Sequence, residues 1–124
     1  MSAGMGRLLR TRARFEFPVT QFALYRNRNP KTKSDYPLLL DVQHELFQGL
    51  QTRVVIPLTK APALTEFPLE YLTPALRVDG ETYLLMTPQL AGIDRADLGP
   101  QAGDVRDQRQ VIESAVEFLT HGFF

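Results

Sequence analysis

The sequence predicts an α+β domain, in which several short antiparallel strands form a strongly curved sheet and one C-terminal helix packs on it. Three observations predict this. In Asp104–Phe124, DVRDQRQVIESAVEFLTHGFF, the residues Val105, Gln108, Ile112, Ala115, Val116 and Leu119 recur at intervals of three or four, the spacing of one helical face. Asp79–Gly80 stands between two short strand-like stretches and is a strong local signal for a tight hairpin. From Gln21 onward, stretches rich in β-branched and aromatic residues alternate with clusters of turn formers.

The first stretch, residues 1–18, reads differently from the rest. It carries four arginines and one glutamate, a net charge of +3, holds no sustained apolar period and ends at Pro18. A basic arm for an anionic partner and a targeting peptide are two readings, but its apolar run is too short for a signal sequence. The favoured reading is a disordered extension, or one created by a start site placed too early, with residues 19–124 as the folded domain. Val19 is a candidate start, since bacterial genes often initiate at a valine codon read as methionine. N-terminal sequencing of the native protein that finds Met1 or Ser2 would overturn it.

Gln21–Arg26 alternates, with Phe22 and Leu24 on one face, and reads as a strand. Asn27–Asp35 is a polar loop around Pro30. Tyr36–Gln43 is a second strand, buried on both faces around Leu38–Leu40. Leu46–Leu50 is a connection with Gly49 as its turn residue and Leu46 and Phe47 as exposed apolar contacts. Thr52–Leu58 is a third strand, with Pro57 marking an edge or exit because proline donates nothing to a ladder. Thr59–Pro74 holds several prolines and reads as loop with a short helical turn. Ala75–Val78 and Thr82–Met86 form the hairpin, Thr87–Leu98 supplies one more strand after a proline-bearing turn, and Gly99–Gly103 is a hinge into the helix. Asp104 is the expected N-cap, and Gly122 the left-handed residue that ends the helix. Phe123 and Phe124 then end the chain, either as a flap on the body or as an anchor for a partner.

Length supports a single domain, and 44% apolar residues suit a globular one. The absence of cysteine excludes disulfides and thiolate sites and fits a reducing, cytoplasmic location. No apolar run approaches the roughly 20 residues of a membrane span. Residues 19–124 hold ten basic and thirteen acidic residues, a net of −3, which matches nucleic-acid phosphates poorly. Action on DNA would therefore go through another protein.

A catalytic constellation is hard to find. His44 and His121 are far apart and lack metal-ligand spacing, so no metal or cofactor is expected. There is no phosphate-cradling glycine loop and no nucleophile elbow. Asp41, inside an apolar strand, reads either as a perturbed general base or as a carboxylate satisfying buried donors. The second reading is favoured, with Arg53 of the facing strand as its ion-pair partner. The acidic 94–107 segment reads as solvated surface. By elimination the sequence favours a protein that works by binding, not an enzyme.

The order of the pieces carries a resemblance. QFALYRN, LLLDVQHEL, TRVVIPL, VDGETYLLMTPQLAGI and a terminal helix ending in glycine plus an apolar residue run in register from Gln21 to Phe123. DVQ followed about ten residues later by RVVIPL is the most specific part, and Leu85, Met86, Thr87, Leu90 and Ala91 support it. Together these resemble the CcdB toxin family. The resemblance implies an SH3-like barrel with a C-terminal helix, shared with the MazF and Kid ribonucleases. It also implies a homodimeric toxin of a type II toxin–antitoxin module, of the kind that serves plasmid maintenance. Such toxins bind the A subunit of DNA gyrase and trap its cleavage complex with DNA, and a CcdA-like antitoxin neutralises them.

Residue roles follow from the same resemblance. The family's gyrase-binding tail is Trp-Gly-Ile, and the matching residues are His121, Gly122 and Phe123, with Phe124 added. Gly122 is kept and Phe123 keeps apolar bulk, while His121 replaces the indole. The antitoxin-binding positions fall at Leu46, Phe47, Glu117, Thr120 and His121. The dimer interface falls at Met86, Leu119, Gly122 and Phe123, and Tyr83 matches a buried aromatic. A MazF-like endoribonuclease is the alternative in another class, because the fold is shared. A chromosomal relative that binds antitoxin without toxicity is a third.

Overall fold

The computed structural model describes residues 20–61 and 71–122. The extension 1–18, Val19, the 62–70 part of the predicted loop, and Phe123 and Phe124 lie outside the described residues. Among the described residues seven strands form one antiparallel sheet: β1 (Ala23–Asn27), β2 (Leu38–Asp41), β3 (Thr52–Lys60), β4 (Ala75–Val78), β5 (Glu81–Leu85), β6 (Ala91–Asp94) and β7 (Leu98–Asp104). Their order is β4-β5-β3-β2-β1-β7, with β6 also beside β3. The nine-residue β3 organises this arrangement. It pairs with β2 along one edge, and its other edge is shared by β6 at Thr52–Val55 and β5 at Leu58–Lys60. This is the predicted curled α+β sheet of an SH3-like barrel, with the C-terminal helix α1 (Arg109–His121) packed on it.

Both faces of the inner strands are covered. Leu24, Leu38, Leu40, Ile56, Leu58 and Leu85 meet Ile112 and Ala115 of α1 in the main core. The alternate residues Ala23, Tyr25, Leu39 and Val55 meet Leu98 and Ile93 on the opposite face. Side chains alternate along a strand, so a continuous apolar run such as Leu38–Leu40 requires two buried faces. Tyr83 is buried as expected. The hairpin turns on Asp79 (φ 50°) and Gly80 (φ 82°), the two positive φ values of a type I′ turn.

Four sequence expectations need correction. First, β1 begins at Ala23 instead of Gln21, because Phe22 adopts φ 72° and leaves the extended region. Its ring still enters the core beside Leu24. Second, Pro57 lies inside β3 and not at its end. The Pro57 carbonyl accepts from Met86 N (2.9 Å), so its missing N–H faces the gap where β6 stops and β5 starts. No ladder bond is lost there. Third, Thr59 and Lys60 continue the strand instead of opening the loop.

The fourth correction concerns Gly99–Gly103, which is strand β7 paired with β1 and not a hinge. A Cβ at Gly99 would stand 2.7 Å from the Arg26 carbonyl oxygen, so glycine there permits close approach of two backbones. Gly99→Ala is therefore expected to destabilise the fold by about 1–3 kcal/mol. Urea denaturation measures it, and an unchanged midpoint would refute the close-approach role.

The terminal helix starts later than its periodicity suggests. Val105 N donates to Phe22 O (2.9 Å), and Arg106–Gln108 form a 3-10 turn before α1 begins. Asp104 acts near its expected place, accepting from Arg106 N (2.7 Å), but it caps this turn and not the α-helix. Gln108 ties the helix start to β4, accepting from Arg77 N (3.0 Å) and donating to Arg77 O (2.9 Å). At the far end Gly122 takes φ 76° and donates to Phe118 O (2.8 Å), the expected left-handed cap.

Candidate functional site

Among the described residues, Leu46 is the most exposed large apolar side chain, at 77%, with Phe47 at 49% beside it. Both lie on a 3-10 turn, Glu45–Phe47, between β2 and β3. The turn forms for local reasons. His44 Nδ1 accepts from Leu46 N (3.0 Å), and Phe47 N and Gln48 N donate to His44 O and Glu45 O (2.9 and 3.1 Å). His44 is thus a capping residue. Two adjacent apolar side chains held toward water on a tight turn are the kind of feature that marks an interaction surface.

Beneath the turn lies a buried polar cluster. Asp41 and Arg53 have fully buried side chains, with Asp41 Oδ2 accepting from Arg53 Nε (2.9 Å) and facing Nη2 at 2.7 Å. Asp41 Oδ1 accepts from Gln43 N (2.9 Å). Both carboxylate oxygens are therefore occupied, which leaves Asp41 the satisfied carboxylate of the two sequence readings and not a general base. Burial pushes its pKa up, while Arg53, the Gln43 N–H and Arg95 pull against that rise. With the folded-state pKa above the unfolded one, the native state holds the proton more readily. Asp41's contribution to stability is then greatest at acid pH and declines as pH rises through the folded value. That sign fits a buried pair whose desolvation outweighs its attraction.

The cluster reaches back to the turn. Phe47 O accepts from Arg53 Nη1 (3.2 Å) and from Gln43 Nε2 (2.8 Å), and Gln48 O accepts from Arg95 Nη1 (3.2 Å). Gln43 Oε1 in turn accepts from Val54 N (2.9 Å), anchoring the side chain to β3. The roles of Gln43 and Arg95 were not legible in the sequence. Gln43 lies two residues after Asp41, the spacing of a local side-chain turn, and that was the available signal.

The second group of expected residues lies at the end of α1. Glu117, Thr120 and His121 are exposed and lie three and four residues apart on one face. The Thr120 hydroxyl donates back to Val116 O (3.0 Å) and also lies 3.3 Å from Glu117 O. Leu119 follows the spacing of the core-facing residues yet is 39% exposed. Met86, partly buried, precedes the 3-10 turn Thr87–Gln89 that packs on α1. The Arg106–Glu45 ion pair (3.5 Å) sets the Leu46 turn near the start of the helix, whereas His121 lies about 18 Å further along it at 1.5 Å per residue. The two groups are thus separate in one chain.

Elsewhere, the acidic 94–107 segment is mostly surface, although Arg95, Leu98 and Val105 are buried within it. Asp94 has its pKa lowered by the Ala96 N–H and then by Gln51, both of which donate to its carboxylate. A groove of about 460 Å³ opens on the face away from α1, with Leu39, Val55, Pro57 and Ile93 among its lining residues and a Gln89–Tyr36 hydrogen bond (2.8 Å) at its rim. No sequence motif marked it. Among the described residues no group of three or more His, Cys, Asp or Glu could hold a metal, and no helix is long and apolar enough to cross a membrane.

The family described as CcdB protein matches residues 21–122, nearly everything outside the basic extension. This chain belongs to the CcdB family. It is a CcdB-type toxin. The match begins at Gln21, two residues past Val19, and ends on the helix-capping Gly122.

Proposed function

We propose that this chain acts without catalysis, as a type II toxin that binds the gyrase A subunit and traps the gyrase–DNA cleavage complex. The observation that carries the reading is the family match over residues 21–122. The last helical residue His121 and the capping Gly122, with Phe123 and Phe124 after them, are the proposed gyrase anchor. Leu46 and Phe47, with Glu117, Thr120 and His121, are the proposed surface for a CcdA-like antitoxin. Exposure supports this assignment, since two large apolar residues on a rigid turn offer desolvation energy to a partner at little entropic cost. The proposed toxin is a homodimer through Met86, Leu119, Gly122 and Phe123. The half-exposed Leu119 supports that, and a second copy could bring the separate Leu46 and His121 groups into one surface. The proposed location is the cytoplasm, where gyrase acts.

Induction in bacterial cells tests the reading. Growth arrest is expected in a strain with ordinary gyrase and is expected to disappear in one carrying a resistant A subunit. RNA cleavage by the purified chain would replace the reading with the endoribonuclease alternative. Harmless overexpression would replace it with a relative that only binds antitoxin.

A further inference from the structure

Two buried side chains donate to one carbonyl, that of Phe47, and this convergence lies directly under the exposed apolar turn. The ion pair that supplies one of the donors is a poor source of stability, since buried pairs can often be replaced by apolar side chains of similar volume without loss. An apolar replacement could fill the space of Arg53. It could not hold a carbonyl oxygen, and without that arm the turn is tied to the rest of the fold only through Gln43 and Arg95, besides its own short-range bonds.

We infer that Asp41, Gln43 and Arg53 form a clamp that positions Leu46 and Phe47 for recognition of the antitoxin. Asp41 orients the guanidinium through Nε and Nη2, which aims Nη1 at the Phe47 carbonyl (3.2 Å). Gln43 bridges the same carbonyl to Val54 N of β3, so the turn is referred to the central strand of the sheet. Arg95 holds the next carbonyl, Gln48 O, from the other side of the connection. Leu46 and Phe47 thereby present a fixed apolar pair instead of a mobile one, which reduces the ordering cost on binding. The inference rests on the proposed antitoxin role of this turn and adds the residues that fix its shape.

The test uses the full chain and the Asp41→Asn/Arg53→Met double variant, which strands no buried charge and keeps an oxygen to accept from Gln43 N. Arg53→Lys is the second variant, able to reach Asp41 but lacking a further arm for Phe47 O. Hydrogen exchange is followed at the Phe47, Gln48 and Leu50 amides, which are hydrogen-bonded within the turn, against Leu85 and Val105 as sheet and core references. Exchange at the turn is expected to rise on the order of tenfold in both variants, with the references unchanged. Binding is read with a synthetic peptide of the C-terminal segment of the CcdA-type antitoxin encoded beside this chain. Truncating Leu46 to Ala is expected to weaken binding on the order of tenfold less in the variants than in the wild type, a coupling that general destabilisation would not produce. Unchanged exchange at the turn, or equal cost of Leu46→Ala in all backgrounds, overturns the clamp. Failure of the wild type to bind the peptide overturns the antitoxin reading and the recognition half of the inference, while exchange still decides whether the turn is clamped.

Discussion

Asp41→Asn is expected to lower the stability of the fold by about 3–5 kcal/mol, read as a fall in the urea midpoint at neutral pH. Arg53 is fully buried, and among the described residues its guanidinium has Asp41 as its carboxylate partner. The carboxamide has one acceptor oxygen where two are in use, one for Gln43 N and one for Arg53. Whichever donor takes that oxygen, the new amide N–H₂ points at another donor. This makes asparagine worse than a protonated aspartate, which would retain both oxygens. A loss of this size is a large part of the 5–15 kcal/mol typical of a domain. Replacing Arg53 by Met in the same chain removes the stranded charge and is expected to restore much of the loss. A midpoint within error of wild type for Asp41→Asn alone would show that water reaches the pair and that the cluster is not the closed unit described.

What could be read in advance from the sequence was whatever short-range chemistry determines. The Asp79–Gly80 turn follows from two residues able to adopt positive φ, and the helix from its own period. The Asp41–Arg53 pair was legible because both are charged residues within facing strands. β7 was not, since LGPQAGD has the composition of a linker and becomes a strand only by pairing with β1, far back in the sequence. The glycine that looked like freedom is there because Arg26 comes so close. Pro57 was misplaced for a related reason: its missing donor falls where two partner strands exchange along one edge, which no local pattern reveals. The exposed Leu46–Phe47 pair was legible, but the donors converging beneath it come from Gln43 just past β2, from β3 and from the Arg95 turn, and meet only in the folded chain.

A chain ending at His121 is expected to lose most of its killing while keeping its antitoxin binding. Gly122 is exposed, and among the described residues its amide makes one backbone hydrogen bond, to Phe118 O. Losing that bond costs the fold about 1 kcal/mol, too little to unfold a domain. An apolar anchor at the centre of an interface commonly contributes 2 kcal/mol or more, and that loss weakens binding by at least about 30-fold. His121 makes this dependence sharper here. Where the resemblance expects an indole, the chain has an imidazole, so the apolar contact must come from Phe123 and Phe124, beyond the cap. Growth after induction of the truncated and full chains, with antitoxin binding measured on both purified proteins, separates the roles. Equal toxicity would move the gyrase contact off the tail. Toxicity and antitoxin binding lost together would mean that one surface serves both partners, and the separation between the Leu46 turn and the helix end would have no functional counterpart.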